Sequence, residues 1–135
     1  MIDWNTLEAP SLAAFEAIAG EAYARLPARF RALTGDVPIR IEDFPTGEVL
    51  DSLGIESPFD LLGLYSGIDL ASKSVSDVPT APDMVFLYRR PILDYWAEHE
   101  ETLGAIITHV LVHEIGHHFG LSDADMERIE AEAVG

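Results

Sequence analysis

The stretch HVLVHEIGHHFGLSD, residues 109 to 123, holds four of the five histidines in a chain of 135 residues. Apolar residues recur through it and just before it at helical spacing, which predicts a helix from about Glu101 to Phe119. Its apolar line consists of Ile107, Leu111, Ile115 and Phe119. Gly120 is expected to end the helix in a left-handed conformation. The apolar spacing of this helix predicts that it packs on the core. A helix that only packs on a core needs no histidines, so the four histidines indicate a chemical role as well.

Inside this helix, His113 and His117 flank Glu114 in the pattern H-E-x-x-H. Histidines four residues apart differ by about 40° around the helix axis and one turn along it, so both can reach one ion. Zinc accepts neutral imidazole, and a catalytic zinc keeps one position for water, whose pKa it lowers to about 7. Glu114 can take the proton of that water and return it to a leaving amine. The pattern predicts a catalytic Zn²⁺ with Glu114 as general base.

The third protein ligand is predicted to be Asp123. It follows Gly120 by three residues, where the chain can double back under the metal and offer a carboxylate oxygen. Three later acids remain open as alternatives, namely Asp125, Glu127 and Glu130. A site of two histidines and one aspartate would also accept manganese, iron or nickel.

Other polar residues near the motif have simpler expected roles. His109 lies one turn before His113, but histidines at i, i+4 and i+8 span about 12 Å, too far for all three to share one ion. We therefore expect His109 to support or pack against the site. Tyr65 and Tyr88 end predicted strands, and packing is the expected role of both, with oxyanion stabilisation the alternative.

The rest of the chain predicts an α+β domain with helices packed on a small mixed sheet of three to four strands. Met84 to Tyr88 is a continuous apolar run typical of a central strand. A long polar loop is predicted at 66–83. The other predicted elements are helices at 10–33 (interrupted at Pro27), 92–100 and 123–133, strands at 37–43 and 61–66, and a short helical turn at 47–53.

Composition narrows the function classes. Eight basic against 24 acidic residues give a formal charge of −16, which disfavours nucleic-acid binding. The chain has no cysteine, which excludes disulfides and thiolate ligands. No signal peptide and no long apolar run is visible, so a cytoplasmic location without a membrane span is expected. A peptide or protein is the expected partner, and the oligomeric state is left open.

The run from His113 to Asp123 resembles the metzincin signature H-E-x-x-H-x-x-G-x-x-H with aspartate last. It is most similar to the small bacterial zincin-like metallopeptidases, or minimal zincins, and the segments LLGLYSG (61–67) and MVFLYRRPIL (84–93) are similar to theirs. The resemblance implies a single minimal zincin-like domain over 1–135. It also implies zinc held by His113, His117 and Asp123, with Glu114 as base. By fold analogy, the strand at 61–66 would bind the substrate.

The leading hypothesis is thus a zinc metallopeptidase that hydrolyses peptide bonds. The sequence departs from true metzincins in one respect: Met126 lies in the last predicted helix, and no methionine turn follows downstream. This keeps a second hypothesis open, a zinc-binding, weakly or non-catalytic protein-interaction module. A third, a structural domain without metal, requires the histidines to be accidental.

Overall fold

The computed structural model describes residues 1–66 and 83–134. Within them, six helices surround a three-stranded mixed sheet, so the α+β prediction is confirmed. The helices are α1 (Leu12–Arg25), α2 (Ala28–Thr34), α3 (Gly47–Leu53), α4 (Arg89–Glu98), α5 (Leu103–His118) and α6 (Asp123–Val134), with a 3-10 turn at Pro58–Asp60; the strands are β1 (Ile39–Glu42), β2 (Gly63–Ser66) and β3 (Met84–Tyr88).

The sheet has the order β1-β3-β2, so the continuous apolar run forms the central strand as predicted. β1 pairs parallel to β3, with Ile39 opposite Val85, and β2 pairs antiparallel to β3, with Gly63 opposite Leu87. Val85 and Leu87 are fully buried, because alternate residues of β3 point into the helical layer. β2 lies at an edge of this sheet, on the side that contacts α5.

The core forms around α5, which packs on β2 and β3, and α1 and α6 pack against it. Thr102 caps the start of α5 by accepting a hydrogen bond from the N–H of Ala105 at 3.1 Å. The fully buried residues of the core come from α1, β3, α5 and α6, and include Phe15, Ala19, Val85, Leu87, Ile107, Leu111, Val112, Ile115 and Met126.

Several boundaries differ from the sequence-based expectations. The helix predicted at 10–33 starts only at Leu12. It is divided at Pro27, as predicted, because this proline cannot continue the first helix and instead precedes the start of α2. α4 begins at Arg89, directly after β3. Phe119 is 37% exposed and caps the end of α5, so its place on the buried apolar line was wrong. Most of the loop predicted at 66–83 lies outside the described residues.

Among the described residues, no helix is both long enough and apolar enough to cross a membrane.

Candidate metal centre

The histidines of the H-E-x-x-H pattern both lie near the end of α5 and face one another. The ring centroids of His113 and His117 are 5.5 Å apart, and the ring planes are nearly perpendicular at 84°. Two imidazoles that share a tetrahedral zinc at about 2.0–2.1 Å per Zn–N bond have centroids about 5.2 Å apart. The observed centroid spacing of 5.5 Å is close to that value and is therefore compatible with a shared ion.

His113 is electrostatically suited to binding a metal. Burial lowers its pKa, and the neighbouring His109 and His117 lower it further, while Glu130 acts in the opposite direction. A metal ligand must be the neutral imidazole, so a lowered pKa keeps His113 competent at neutral pH. His117 is exposed, so this side of the site is open to solvent.

Glu114 lies on the flank of α5 that faces β2. Burial raises the pKa of its carboxyl, and this is partly offset by the nearby His117 and by a hydrogen bond that Glu114 accepts from the backbone N–H of Tyr65. A carboxylate whose pKa is raised towards neutrality is a better proton acceptor in hydrolysis than an ordinary surface glutamate. The Tyr65 N–H also joins this carboxylate directly to the edge strand.

Gly63 allows the edge strand to approach this closely. A Cβ at this position would lie 2.6 Å from Cγ1 of Val110, 3.0 Å from the backbone oxygen of Phe86 and 3.4 Å from Cγ of Glu114. Any side chain here would therefore push β2 away from α5 and from Glu114.

The turn after α5 has the predicted form. Gly120 has a φ of 73°, and the N–H of Leu121 donates to the oxygen of Gly116 at 2.9 Å, while that of Gly120 donates to His117 at 3.2 Å. This pair of bonds is the Schellman motif, which reverses the chain. α6 then begins at Asp123, which is exposed. Ser122 caps α6 by accepting a hydrogen bond from the N–H of Asp125 at 3.1 Å.

Three side chains come together around His113, the first residue of the H-E-x-x-H pattern. Oε1 of Glu130 lies 2.6 Å from Nδ1 of His109, and Oε2 lies 3.5 Å from Nε2 of His113. Potential ligand atoms of the three residues all lie within 4.8 Å of one another. Among the described residues, this is the group of three or more His, Cys, Asp or Glu side chains whose ligand atoms come this close together. Asp123 does not belong to the group, and its role as a metal ligand stays a prediction.

The pairing of His109 with Glu130 was missed from sequence, although a signal for it exists. His109 lies eleven residues before Gly120, and Glu130 lies ten residues after it. In two antiparallel helices joined by a tight turn, residues at similar distances from the turn become neighbours. Counting outward from Gly120 would therefore have brought the two together.

Both tyrosines near the site are held by packing. Tyr65 stacks on His118 with centroids 3.9 Å apart, and its hydroxyl donates to Oδ2 of Asp83 at 2.9 Å. Tyr88 is 2% exposed, and burial, with the charges of Glu42 and Glu114, raises its pKa to about 12. The packing role expected for them agrees with these contacts.

A small pocket of about 160 Å³ opens beside His109. Its lining is both apolar and polar and consists of Leu62, Tyr95, Glu101, Ile106, His109 and Val110.

Two imidazoles on a core helix, together with a glutamate whose carboxyl is held against a sheet edge, form a candidate metal centre. A model of the zincin-like metallopeptidase family matches residues 34–133. The chain belongs to this family, and the resemblance noted from the motif is confirmed. A search among curated proteins finds no match.

Proposed function

We propose that this protein is a zinc-dependent metallopeptidase that hydrolyses peptide bonds. Glu114 carries the proposal, because its carboxyl lies near His117, has a raised pKa and is held against the edge strand. Membership of the zincin-like metallopeptidase family supports the same reaction. In the proposed ligand set, His113, His117 and Asp123 hold the ion.

The position of Asp123 supports its place in that set. The Schellman turn reverses the chain directly after His117, so α6 starts close to the end of α5 that carries this histidine. We therefore expect the carboxylate of Asp123 to turn towards the ion when the ion binds. Its exposure leaves the side chain free to do so.

A bound zinc supplies Lewis acidity and lowers the pKa of a coordinated water. Glu114 accepts the proton of the attacking water and passes it to the amine that leaves, as the bond to the peptide nitrogen breaks. The edge strand β2 offers a backbone against which an extended peptide can pair. Such a peptide would lie beside Glu114, because the N–H of Tyr65 already contacts that carboxylate.

The test uses the full chain loaded with zinc and a diverse peptide library read by mass spectrometry. The wild type is compared with Glu114→Gln and with the control Glu132→Gln, which alters an exposed acid of α6 that pairs with Arg29. We expect cleavage by the wild type and the control, and a loss of about 10²–10⁴-fold or more in Glu114→Gln with zinc retained.

Two outcomes would contradict the proposal. Full activity in Glu114→Gln would exclude this glutamate as the base. One retained zinc per chain without any cleavage would favour the zinc-binding interaction module instead. Zinc content measured in Asp123→Ala tests the third ligand, because a marked fall in bound zinc is expected only if this aspartate binds the ion.

A further inference from the structure

The carboxylate of Glu130 is placed between two histidines, and each of its oxygens faces a different one. Oε1 is 2.6 Å from Nδ1 of His109, and Oε2 is 3.5 Å from Nε2 of His113. The second distance is close to the spacing of two ligand atoms on one tetrahedral zinc, which is about 3.4 Å. Oε2 therefore already reaches the site proposed for the first ion. The 2.6 Å contact between Oε1 and His109 is a hydrogen bond, which an ion bound by both residues would replace with a spacing of about 3.4 Å between the ligand atoms.

Glu130 differs from the other acids of α6 that have partners in the structure. Glu132 pairs with Arg29, and Asp125 pairs with Arg128, both as exposed surface ion pairs. The partners of Glu130 are instead two imidazoles, and its side chain is 21% exposed, compared with 50% for Glu132. A sheltered carboxylate with two nitrogen donors resembles a metal-ligand set more than a surface ion pair.

The ring geometry argues against a single ion shared by His109 and His113. Their ring centroids are 3.9 Å apart and the planes are tilted by 32°, so the rings lie over one another. Two imidazoles that converge on one tetrahedral ion have centroids about 5.2 Å apart, a spacing that His113 and His117 approach. His109 therefore faces a different position from the one between His113 and His117.

We propose a second cation position, held by His109 and Glu130, beside the ion bound by His113 and His117. In this arrangement Glu130 bridges the two positions through its two oxygens. The ion would be a divalent transition metal such as zinc, which matches one imidazole and one carboxylate. Paired sites of this kind hold their metals about 3.5–4 Å apart, a separation that one carboxylate can span. The inference deepens the proposed function and rests on the first site proposed there.

The second position is expected to bind more weakly than the first. It has two protein ligands, one of them shared, and the side chain of His109 is 55% exposed. Solvent must supply the remaining ligands, so the second ion should be taken up only at higher free zinc.

Calorimetric titration of the full, metal-free chain with zinc alone tests this proposal. We expect two equivalents in the wild type, the second at least tenfold weaker than the first. His109→Gln and Glu130→Gln should lose the weaker equivalent, and His117→Ala should lose the tighter one. Glu132→Gln is the matched control on α6, because this exposed acid pairs with Arg29 and is not a candidate ligand, and it should keep both. Circular dichroism verifies that each variant is folded, and His109→Gln changes an exposed side chain that the fold does not require.

A second readout is the spectrum of the cobalt-substituted protein. Two cobalt ions joined by a carboxylate couple magnetically, so the paramagnetic signal per ion should fall as the second equivalent enters. In His109→Gln the signal should instead saturate at one uncoupled ion.

Distinct results separate this proposal from the proposed function. A single equivalent that is unaffected by His109→Gln overturns the second position. A single equivalent lost in both His117→Ala and Glu130→Gln also overturns it, since Glu130 would then be a ligand of one ion. Two equivalents with the expected variant pattern, in a protein that cleaves no peptide, would support the second position while contradicting the peptidase proposal.

Discussion

The close contact between β2 and α5 at Gly63 makes a sharp prediction for the substitution Gly63→Ala. The new Cβ would lie 2.6 Å from Cγ1 of Val110 and 3.0 Å from the oxygen of Phe86. Carbon atoms in contact prefer about 3.5–4.0 Å, so the valine methyl would have to retreat by about 1 Å. The φ of Gly63 is not in the left-handed region, so the effect comes from this contact and not from backbone strain.

Neither neighbour can move easily. Val110 is 5% exposed, and a valine in a helix has one strongly preferred rotamer. The Phe86 oxygen belongs to the central strand, which is paired on both sides. Overpacking costs about 1–3 kcal/mol, and the rigid neighbours place this case at about 2–3 kcal/mol. For a domain of this size, that loss lowers the melting temperature by about 6–15 °C.

Chemical denaturation and thermal melting measure this loss, with two companion variants. Gly20→Ala is the matched control, because a Cβ at Gly20 in α1 meets nothing within 4 Å, and it should gain up to about 1 kcal/mol. Val110→Ala should cost about 1.6 kcal/mol for the two carbon groups removed, before any cavity penalty.

The double variant Gly63→Ala, Val110→Ala should lose less stability than the sum of its parts, because the removed methyl makes space for the new one. A coupling of about 0.5–3 kcal/mol is typical for residues in contact. The reasoning would be refuted if the Gly63→Ala variant were as stable as the wild type, or if the effects in the double variant were strictly additive.

Two further predictions follow from the charge of Glu114 and from the turn at Gly120. Because the folded-state pKa of Glu114 lies above its unfolded value, its stabilising contribution is present below the unfolded pKa and is lost as pH rises through the folded one. Metal-free Glu114→Gln should therefore unfold at a higher denaturant concentration than the wild type at pH 7, and this difference should disappear at about pH 4. An equal difference at both pH values would show that it does not come from the charge of Glu114. Gly120→Ala should cost about 1–2 kcal/mol, because the φ of 73° is unfavourable for alanine; unchanged stability in denaturant unfolding would show that the turn adopts another conformation.

Much of the fold could be predicted because its signals are local. The apolar run Met84–Tyr88 forms the central strand with the predicted bounds, and the helical turn at 47–53 also matches. Pro27 predicted an interruption, and two helices result. The start of α4 at Arg89 was not predicted, because charged residues followed by proline commonly end an element and here begin one. The exposure of Phe119 depends on where α5 ends, which periodicity alone does not determine.

For the site, the sequence was sufficient to identify His113, His117 and Glu114 on one helix, because helical spacing places residues i and i+4 on the same face. It could not give the pKa direction of Glu114 or the contact of that carboxylate with β2, since these arise from burial against a strand some fifty residues away in the chain. Counting outward from Gly120 brings His109 and Glu130 to the same level of the two helices, but it does not show that the carboxylate lies between His109 and His113. That contact exists because α6 folds back on α5 after Gly120, and only tertiary packing decides which faces of two helices meet.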